Sequence, residues 1–171
     1  MTNRSLHILV GTLFLLCAQS ARSAAPDGGV FFESNQVGRY RELFGTHPLF
    51  ATLRQQVDTL DRAKERRFLR SEVKYNDHLF DIARIGNCAQ QMALLYLYTG
   101  DADAAALARE CVETLMKFPR WDYFLEGGTE IVGLQRAPNS AIAVAIVVEV
   151  LGEQLPRAVR EGWLRVMAER G

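Results

Sequence analysis

The sequence predicts an all-α domain built from helical hairpins, and three observations support this. Apolar residues recur at helical spacing over most of the chain. Residues typical of helix caps and helix ends flank these stretches. The longest stretches follow each other in pairs with short connections, which makes consecutive helices antiparallel neighbours. No glycine-rich, alternating stretch indicates a sheet, so we predict none.

Residues 1–24 are predicted to be a signal peptide. Arg4 gives a basic start, an apolar run covers Ile8–Ala18, and Ala21-Arg22-Ser23 matches a small-x-small cleavage site. The apolar run is too short to span a bilayer, and no second long run follows it. We therefore expect residues 25–171 to form one exported domain, periplasmic or secreted, with no membrane segment in its mature form.

Composition argues against nucleic acid as a partner and against a metal site. Removing residues 1–24 takes away two arginines and no acid, so the balance of charged residues changes from 20 − 20 to 18 − 20, or −2. The remaining basic residues are interspersed with acids rather than gathered on one face. Cys88, Cys111, His47 and His78 show no metal-ligand spacing. We expect no metal and no cofactor.

The first part of the domain is predicted to hold two short helices and a charged segment. Asn35 caps the first helix, Gly45 ends it, and Pro48 lies early in the second. The second helix carries an apolar stripe of Leu49, Leu53, Val57 and Leu60. Mixed charges without such a stripe occupy residues 62–74, where we expect mostly a solvated helix end and loop.

The strongest pattern predicts a long helix from an Asp77 cap to Gly100, followed by a partner helix from an Asp101 cap to Pro119. Cys88 lies twelve residues before Gly100 and Cys111 eleven after it, each on its helix's core face. The two should therefore lie close together. Helix axes pack about 8–10 Å apart, whereas a disulfide requires Cα atoms within about 7 Å. We predict neighbouring free thiols.

A second hairpin is predicted after residue 138. The run Ala141–Leu151 is apolar except for Glu149, which suits a buried helix or a buried strand. Its alanine content, an Asn139 or Ser140 cap and the Gly152 stop favour a helix. Pro156 then opens a last helix, whose apolar face comprises Val159, Trp163, Leu164 and Met167.

The segment Phe118–Gly128 is the best candidate for a ligand site. It places four aromatic rings, two acids and an arginine at a break between helices. Trp121 and Tyr123 can stack on sugar rings, or Trp121 can pack between helices with its N–H bonded to the backbone. An acid/base pair of Asp122 and Glu126 is disfavoured, because their spacing in a loop fixes no distance.

Gln135, Arg136 and Asn139 directly precede the buried helix, so they and its N-terminus are candidates to bind a carboxylate. Arginine offers a planar fork that fits such an anion. The alternative is that Arg136 pairs structurally with Asp122 or Glu126.

Several segments together resemble the N-terminal portion of heparinase II/III-like and alginate-lyase-like polysaccharide lyases. They are Phe31-Phe32-Glu33, Arg41-Glu42-Leu43, His47-Pro48-Leu49, Tyr75-Asn76-Asp77-His78-Leu79, Phe118–Gly128 and Gly133-Leu134-Gln135-Arg136-Ala137. The resemblance covers most of residues 30–171 through loose motifs. It implies helical hairpins forming an incomplete (α/α) toroid, with an acidic polysaccharide or oligosaccharide in the cleft.

Such lyases β-eliminate uronic-acid polymers, with Asn, His or Arg neutralising the substrate carboxylate and Tyr or His moving protons. In the family those groups lie in later hairpins, so no catalytic residue is assigned, and we expect a fragment that is inactive alone. The alternatives are an exported tetratricopeptide-like binding module, indicated by the turn at Tyr98-Thr99-Gly100-Asp101 before Ala104-Ala105, and a toroidal glycoside hydrolase.

Overall fold

Helices make up most of the chain that the structure describes. This computed structural model describes residues 29–75, 79–121, 123–126, 129–132 and 136–171. The predicted signal peptide lies outside these residues, as do the predicted cap Asp77 and the neighbouring His78. Within the described ranges, we find no helix that is both long enough and apolar enough to span a membrane.

The elements follow one another as helices with one small β-hairpin inserted. The helices are α1 (Val37–Phe44), α2 (Ala51–Thr59), α3 (Arg62–Ser71), α4 (Leu79–Thr99), α5 (Ala102–Leu115), α6 (Arg136–Leu151) and α7 (Arg157–Arg170). Strands β1 (Tyr123–Glu126) and β2 (Thr129–Val132) pair antiparallel between α5 and α6. The preponderance of helix confirms the all-α prediction. The hairpin is a local exception, because we predicted no strand there.

Helix α3 corrects the expectation that residues 62–74 form mostly a solvated helix end and loop. Asp61 caps it by accepting a hydrogen bond from the Lys64 amide at 2.9 Å. Its apolar face consists of only two adjacent buried residues, Phe68 and Leu69. This face is too small to give an apolar stripe in the sequence, but it is enough to hold a ten-residue helix against the core.

Several helix ends are where the sequence placed them. The Asp101 carboxylate accepts hydrogen bonds from the amides of Asp103 and Ala104, and Gly100 reverses the chain with a φ of 76°. Gly152, with a φ of 50°, ends α6 as predicted. Two cap predictions were wrong. Asn35 lies inside a short 3₁₀ turn before α1, and α6 begins at Arg136, so Asn139 lies within its first turns.

Arginines from other elements bind the open carbonyls at three helix C-termini. Arg41 donates from Nε to the Leu97 carbonyl near the end of α4 at 2.8 Å. Arg54 donates to Phe44 at the end of α1, and Arg170 donates to the carbonyls of Met116 and Phe118 after α5. The guanidinium charge complements the negative end of each helix dipole. These bonds fix the relative positions of helices far apart in sequence.

The helices after α1, which packs on α4, lie in two rows. The α4–α5 and α6–α7 hairpins pack together mainly through α4 and α6, while α2 packs on α4 and α3 on α5. Gln90 of α4 meets Asn139 near the start of α6, and Tyr96 meets Gln154 just after its end, so α4 and α6 run parallel. The first row is therefore α2, α4 and α6, which we call the inner row. The second row, which we call the outer row, contains α3 and α5, and α7 is joined to its end by the bond from Arg170 to the Met116 carbonyl.

The core lies between the two rows, and it includes both cysteines. Cys88 is 4% exposed and Cys111 0%, and both are free thiols. The neighbouring Cys88 thiol and burial together raise the pKa of Cys111 well above its ordinary value. The prediction of neighbouring free thiols is confirmed.

Candidate functional site

The aromatic segment after α5 is partly core. Trp121 is 1% exposed, and its indole N–H donates to the Leu115 carbonyl at 3.1 Å, one of the free carbonyls at the end of α5. Phe118 is also buried and packs against Tyr75 with ring centroids 4.9 Å apart. Of the two interpretations of Trp121, packing between helices therefore describes this structure. No face of its ring is open to a ligand.

The rest of that segment forms the β-hairpin. The backbone of Tyr123 begins β1 and pairs with Val132 at the end of β2. The predicted pair of acids lies outside what the structure describes, because Asp122 is not among the described residues and Glu126 is placed only through its backbone in β1. The hairpin brings the chain from the end of α5 to the residues before α6.

Near the start of α6, the predicted site residue Asn139 is more accessible than Trp121. Asn139 is half-buried, and its Oδ1 accepts a hydrogen bond from Gln90 Nε2 on α4 at 3.3 Å. Gly86 lies one turn before Gln90. A Cβ on Gly86 would stand 3.3 Å from Asn139 Nδ2, so the missing side chain lets α6 approach α4 closely. The amide group is thus held at the seam of two parallel helices.

Of the other predicted site residues, some lie within the described part of the chain and some outside it. Arg136 is the first residue of α6, where the positive end of the helix dipole favours anions. Gln135 lies outside the described residues. Trp121 and Asn139 are both described, and no hydrogen bond joins them. Through these two residues, therefore, the structure does not bring the aromatic segment and the start of α6 into one site.

Two site residues escaped sequence reasoning. Gly86 was visible as an isolated glycine in a helical pattern, which signals close approach of another backbone. Gln90 carried no signal, because its partner Asn139 is 49 residues away.

The strongest electrostatic cluster of the described chain lies away from the start of α6. Arg62 donates to Asp101 at 2.7 Å, and Arg66 donates to Asp103 at 2.6 Å and to Glu110 at 3.0 Å. The Arg62 hydrogen bond lowers the pKa of Asp101, and the Arg66 hydrogen bond lowers that of Asp103. These pairs join α3 to α5 in the outer row. Their role is to fix helices, not to exchange protons.

Gln90 and Asn139, the side chains described where the start of α6 meets α4, can bind a ligand but cannot transfer protons. Carboxamides donate and accept hydrogen bonds without a titrating group near neutral pH. The described residues also hold no group of three or more His, Cys, Asp or Glu that could bind a metal ion. The arrangement therefore suits recognition of a polar ligand.

Comparisons of this chain with protein-family models, with curated proteins and with solved structures yield no match. The functional conclusion therefore depends on the residues and the geometry described above.

Proposed function

We propose that this exported chain forms one wall of the substrate cleft in an (α/α) toroid of the heparinase II/III-like, alginate-lyase-like class, and that it binds a uronic-acid polysaccharide. The observation that carries the proposal is the seam of α4 and α6, where a half-buried carboxamide lies three residues after Arg136 at a helix N-terminus. An arginine and an asparagine within the first turns of one helix, together with the positive end of its dipole, suit a sugar carboxylate and its neighbouring hydroxyls.

The helix arrangement supports a toroid. In a ring of hairpins, each unit packs on the next through its inner helices, which run parallel, and α4 and α6 pack in this way. The α3–α5 ion pairs join the outer helices of two successive units. Each further hairpin would extend the same two rows.

The proposed role is binding and orientation of the substrate. In β-elimination, a group that neutralises the C5 carboxylate makes the neighbouring proton easier to remove, and a separate base must then take it. Arg136 and Asn139 fit the first requirement. We assign no base, because Gln90 and Asn139, the side chains described where the start of α6 meets α4, are carboxamides.

A tetratricopeptide-like peptide-binding module is the second candidate. The Gly100–Asp101 turn and the small buried residues Ala104 and Ala105 let α4 and α5 pack closely, as in such a repeat. The parallel inner row is compatible with both a toroid and a tetratricopeptide-like repeat. The two candidates are therefore distinguished by their ligand, an acidic polysaccharide or a peptide.

The test is binding by the chain without residues 1–24. Alginate, hyaluronan and heparan sulfate would be compared with neutral dextran by calorimetry, while the absorbance of unsaturated uronides is followed. We expect binding of one acidic polymer that weakens with salt, without turnover. Equal affinity for dextran, or tight binding of a peptide instead, would overturn the proposal.

The matched variants are Arg136→Ala and Arg157→Ala. Both remove an arginine at the start of a helix. Arg157 is 83% exposed and pairs with Glu161 one turn later, at the start of α7. We expect about a tenfold loss of affinity for the acidic polymer in Arg136→Ala, the cost of about one charged hydrogen bond. The Arg157→Ala chain should bind like the parent.

A further inference from the structure

A row of carboxamides crosses the open side of the inner helices. Gln91 Nε2 on α4 donates to Gln56 Oε1 on α2 at 3.3 Å, and Gln90 Nε2 donates to Asn139 Oδ1 on α6 at the same distance. Asn87 lies one turn before both glutamines and is exposed. We call these five residues the amide row. With helix axes about 8–10 Å apart, the row extends about 16–20 Å from α2 to α6.

The amide row has unused hydrogen-bonding capacity. Each carboxamide has two N–H donors and an oxygen with two lone pairs, and each bond between the helices uses one donor and one lone pair. At 3.3 Å these bonds are slightly longer than the usual range for an N–H···O bond, so they are weak. A ligand hydroxyl can therefore add to the row, or replace one of these bonds, at little cost.

The charged side chains of α4 near the row are engaged elsewhere. Arg84 pairs with Glu65 of α3 at 2.8 Å, and its guanidinium lies over the ring of Phe68. The carboxylate of Asp81 accepts a hydrogen bond from the Lys74 amide. The five side chains of the row carry no formal charge, so they can bind a ligand group that has none. They can thus donate to and accept from neutral hydroxyl groups as well as donate to a carboxylate.

An exposed aromatic ring lies to one side of the row. Phe80 is 78% exposed and lies seven residues before Asn87, on the same face of α4 and about 10 Å along its axis. A sugar ring presents an apolar C–H face and an edge of hydroxyls, each of which donates and accepts. An exposed ring and side-by-side amide donors and acceptors match these two surfaces.

We propose that the amide row and Phe80 form a saccharide-binding strip that recognises the hydroxyl groups of a sugar chain independently of its carboxylates. The choice of a saccharide as ligand rests on the proposed function. The strip extends the candidate site from the start of α6 across α4 to α2. In this arrangement Arg136 selects the acid group of one sugar unit. The amide row holds the neighbouring units whether or not they are charged.

The test uses two probes that differ only in their carboxylates, a β-1,4-hexamannuronate and a β-1,4-mannohexaose. Calorimetry would measure Kd for both with Asn87→Ala and Gln91→Ala. We expect each variant to raise both Kd values about three- to tenfold, as for one lost neutral hydrogen bond. The loss should be the same at low and high salt, because no charge is removed.

Gln55→Ala is the matched control. Gln55 is exposed on α2 directly before Gln56 but points about 100° away around the helix, off the row. It should leave both Kd values unchanged. Asn87 is exposed, so Asn87→Ala tests the strip even if Gln91→Ala loosens α2, which thermal unfolding would reveal.

The outcomes separate the two proposals. If mannohexaose binds as tightly as hexamannuronate and both weaken in Asn87→Ala, the strip stands and the uronate-specific function fails. If hexamannuronate binds and weakens only in Arg136→Ala, the function stands and the strip is refuted. If neither probe binds, both proposals are refuted. Both are also refuted if the chain binds an extended peptide and Asn87→Ala and Gln91→Ala weaken that binding.

Discussion

Glu149 is expected to hold the N-terminal segment of the domain against α6. It is the one acid in the apolar run of that helix and is only 9% exposed. Its carboxylate accepts hydrogen bonds from the amides of Val30 at 3.0 Å, Phe31 at 3.1 Å and Phe32 at 2.7 Å. Three consecutive backbone donors around one carboxylate offset the cost of burying its charge. The perturbation that removes this anchor is Glu149→Ala.

The expected loss follows from the exposure of the three donors. A hydrogen bond to a charged group contributes about 1.5–3 kcal/mol. Val30 is 88% exposed and Phe31 43%, so water replaces most of their loss in the variant. Phe32, which packs against the core, carries most of the effect. We expect the free energy of unfolding to fall by about 2–3 kcal/mol, mainly from this one bond and the freed segment.

The assay combines urea unfolding and thermal unfolding with hydrogen exchange. At about 2–4 °C per kcal/mol for a chain of this size, Tm should fall by about 4–12 °C. The amides of residues 30–32 should lose protection against exchange, while those of α4 keep it. Glu161→Ala is the control, because it removes a surface i,i+4 pair worth about 0.3–0.5 kcal/mol. If Glu149→Ala costs no more than Glu161→Ala, or leaves the exchange of residues 30–32 unchanged, the anchor is refuted.

Three further predictions concern the core and the outer row. Trp121→Ala should lower the free energy of unfolding by about 3–5 kcal/mol, because the indole is buried and its N–H donates to the Leu115 carbonyl. A variant that stays stable but binds saccharide more weakly would instead indicate that Trp121 contacts the ligand. Cys88 and Cys111 should resist a thiol-specific reagent in the folded chain and react in denaturant, since burial and contact keep Cys111 protonated. Acid should remove the contribution of the Asp101–Arg62 pair to stability. Because the pKa of Asp101 is lowered in the folded chain, the pair stabilises the fold at neutral pH, and this stabilisation is lost as pH falls below about 4. In an acid titration, Asp101→Asn should therefore lose less stability than the parent over that pH range.

Local chemistry made much of the fold predictable. Gly100 and Asp101 end one helix and cap the next through bonds within a few residues, so their sequence is sufficient. The small α3 depends instead on distant partners. Its arginines were taken for solvated charges, yet Arg62 and Arg66 bind Asp101 and Asp103 some 40 residues later. Single-sequence patterns carry no record of such pairs, so the helix was missed.

The β-hairpin was missed for a different reason. Its strands are connected by Gly127-Gly128, and a Gly-Gly pair between β-favouring residues is a hairpin signal that was present in the sequence. The aromatic residues of β1 were interpreted as ligand contacts instead. Aromatic side chains favour strands as well as binding sites.

The candidate site shows where sequence reasoning stops. Asn139 was chosen because it precedes an apolar run, and it does lie at an open seam, although within α6 rather than as its cap. Its bond to Gln90, and the bond between Gln56 and Gln91, form only when α2, α4 and α6 pack side by side. Glutamines on exposed helix faces are ordinary in any one helix. They become a candidate site when packing aligns them across neighbouring helices. If Asn87→Ala and Gln91→Ala each weaken binding of the same saccharide by a similar factor, that result would demonstrate the alignment in solution.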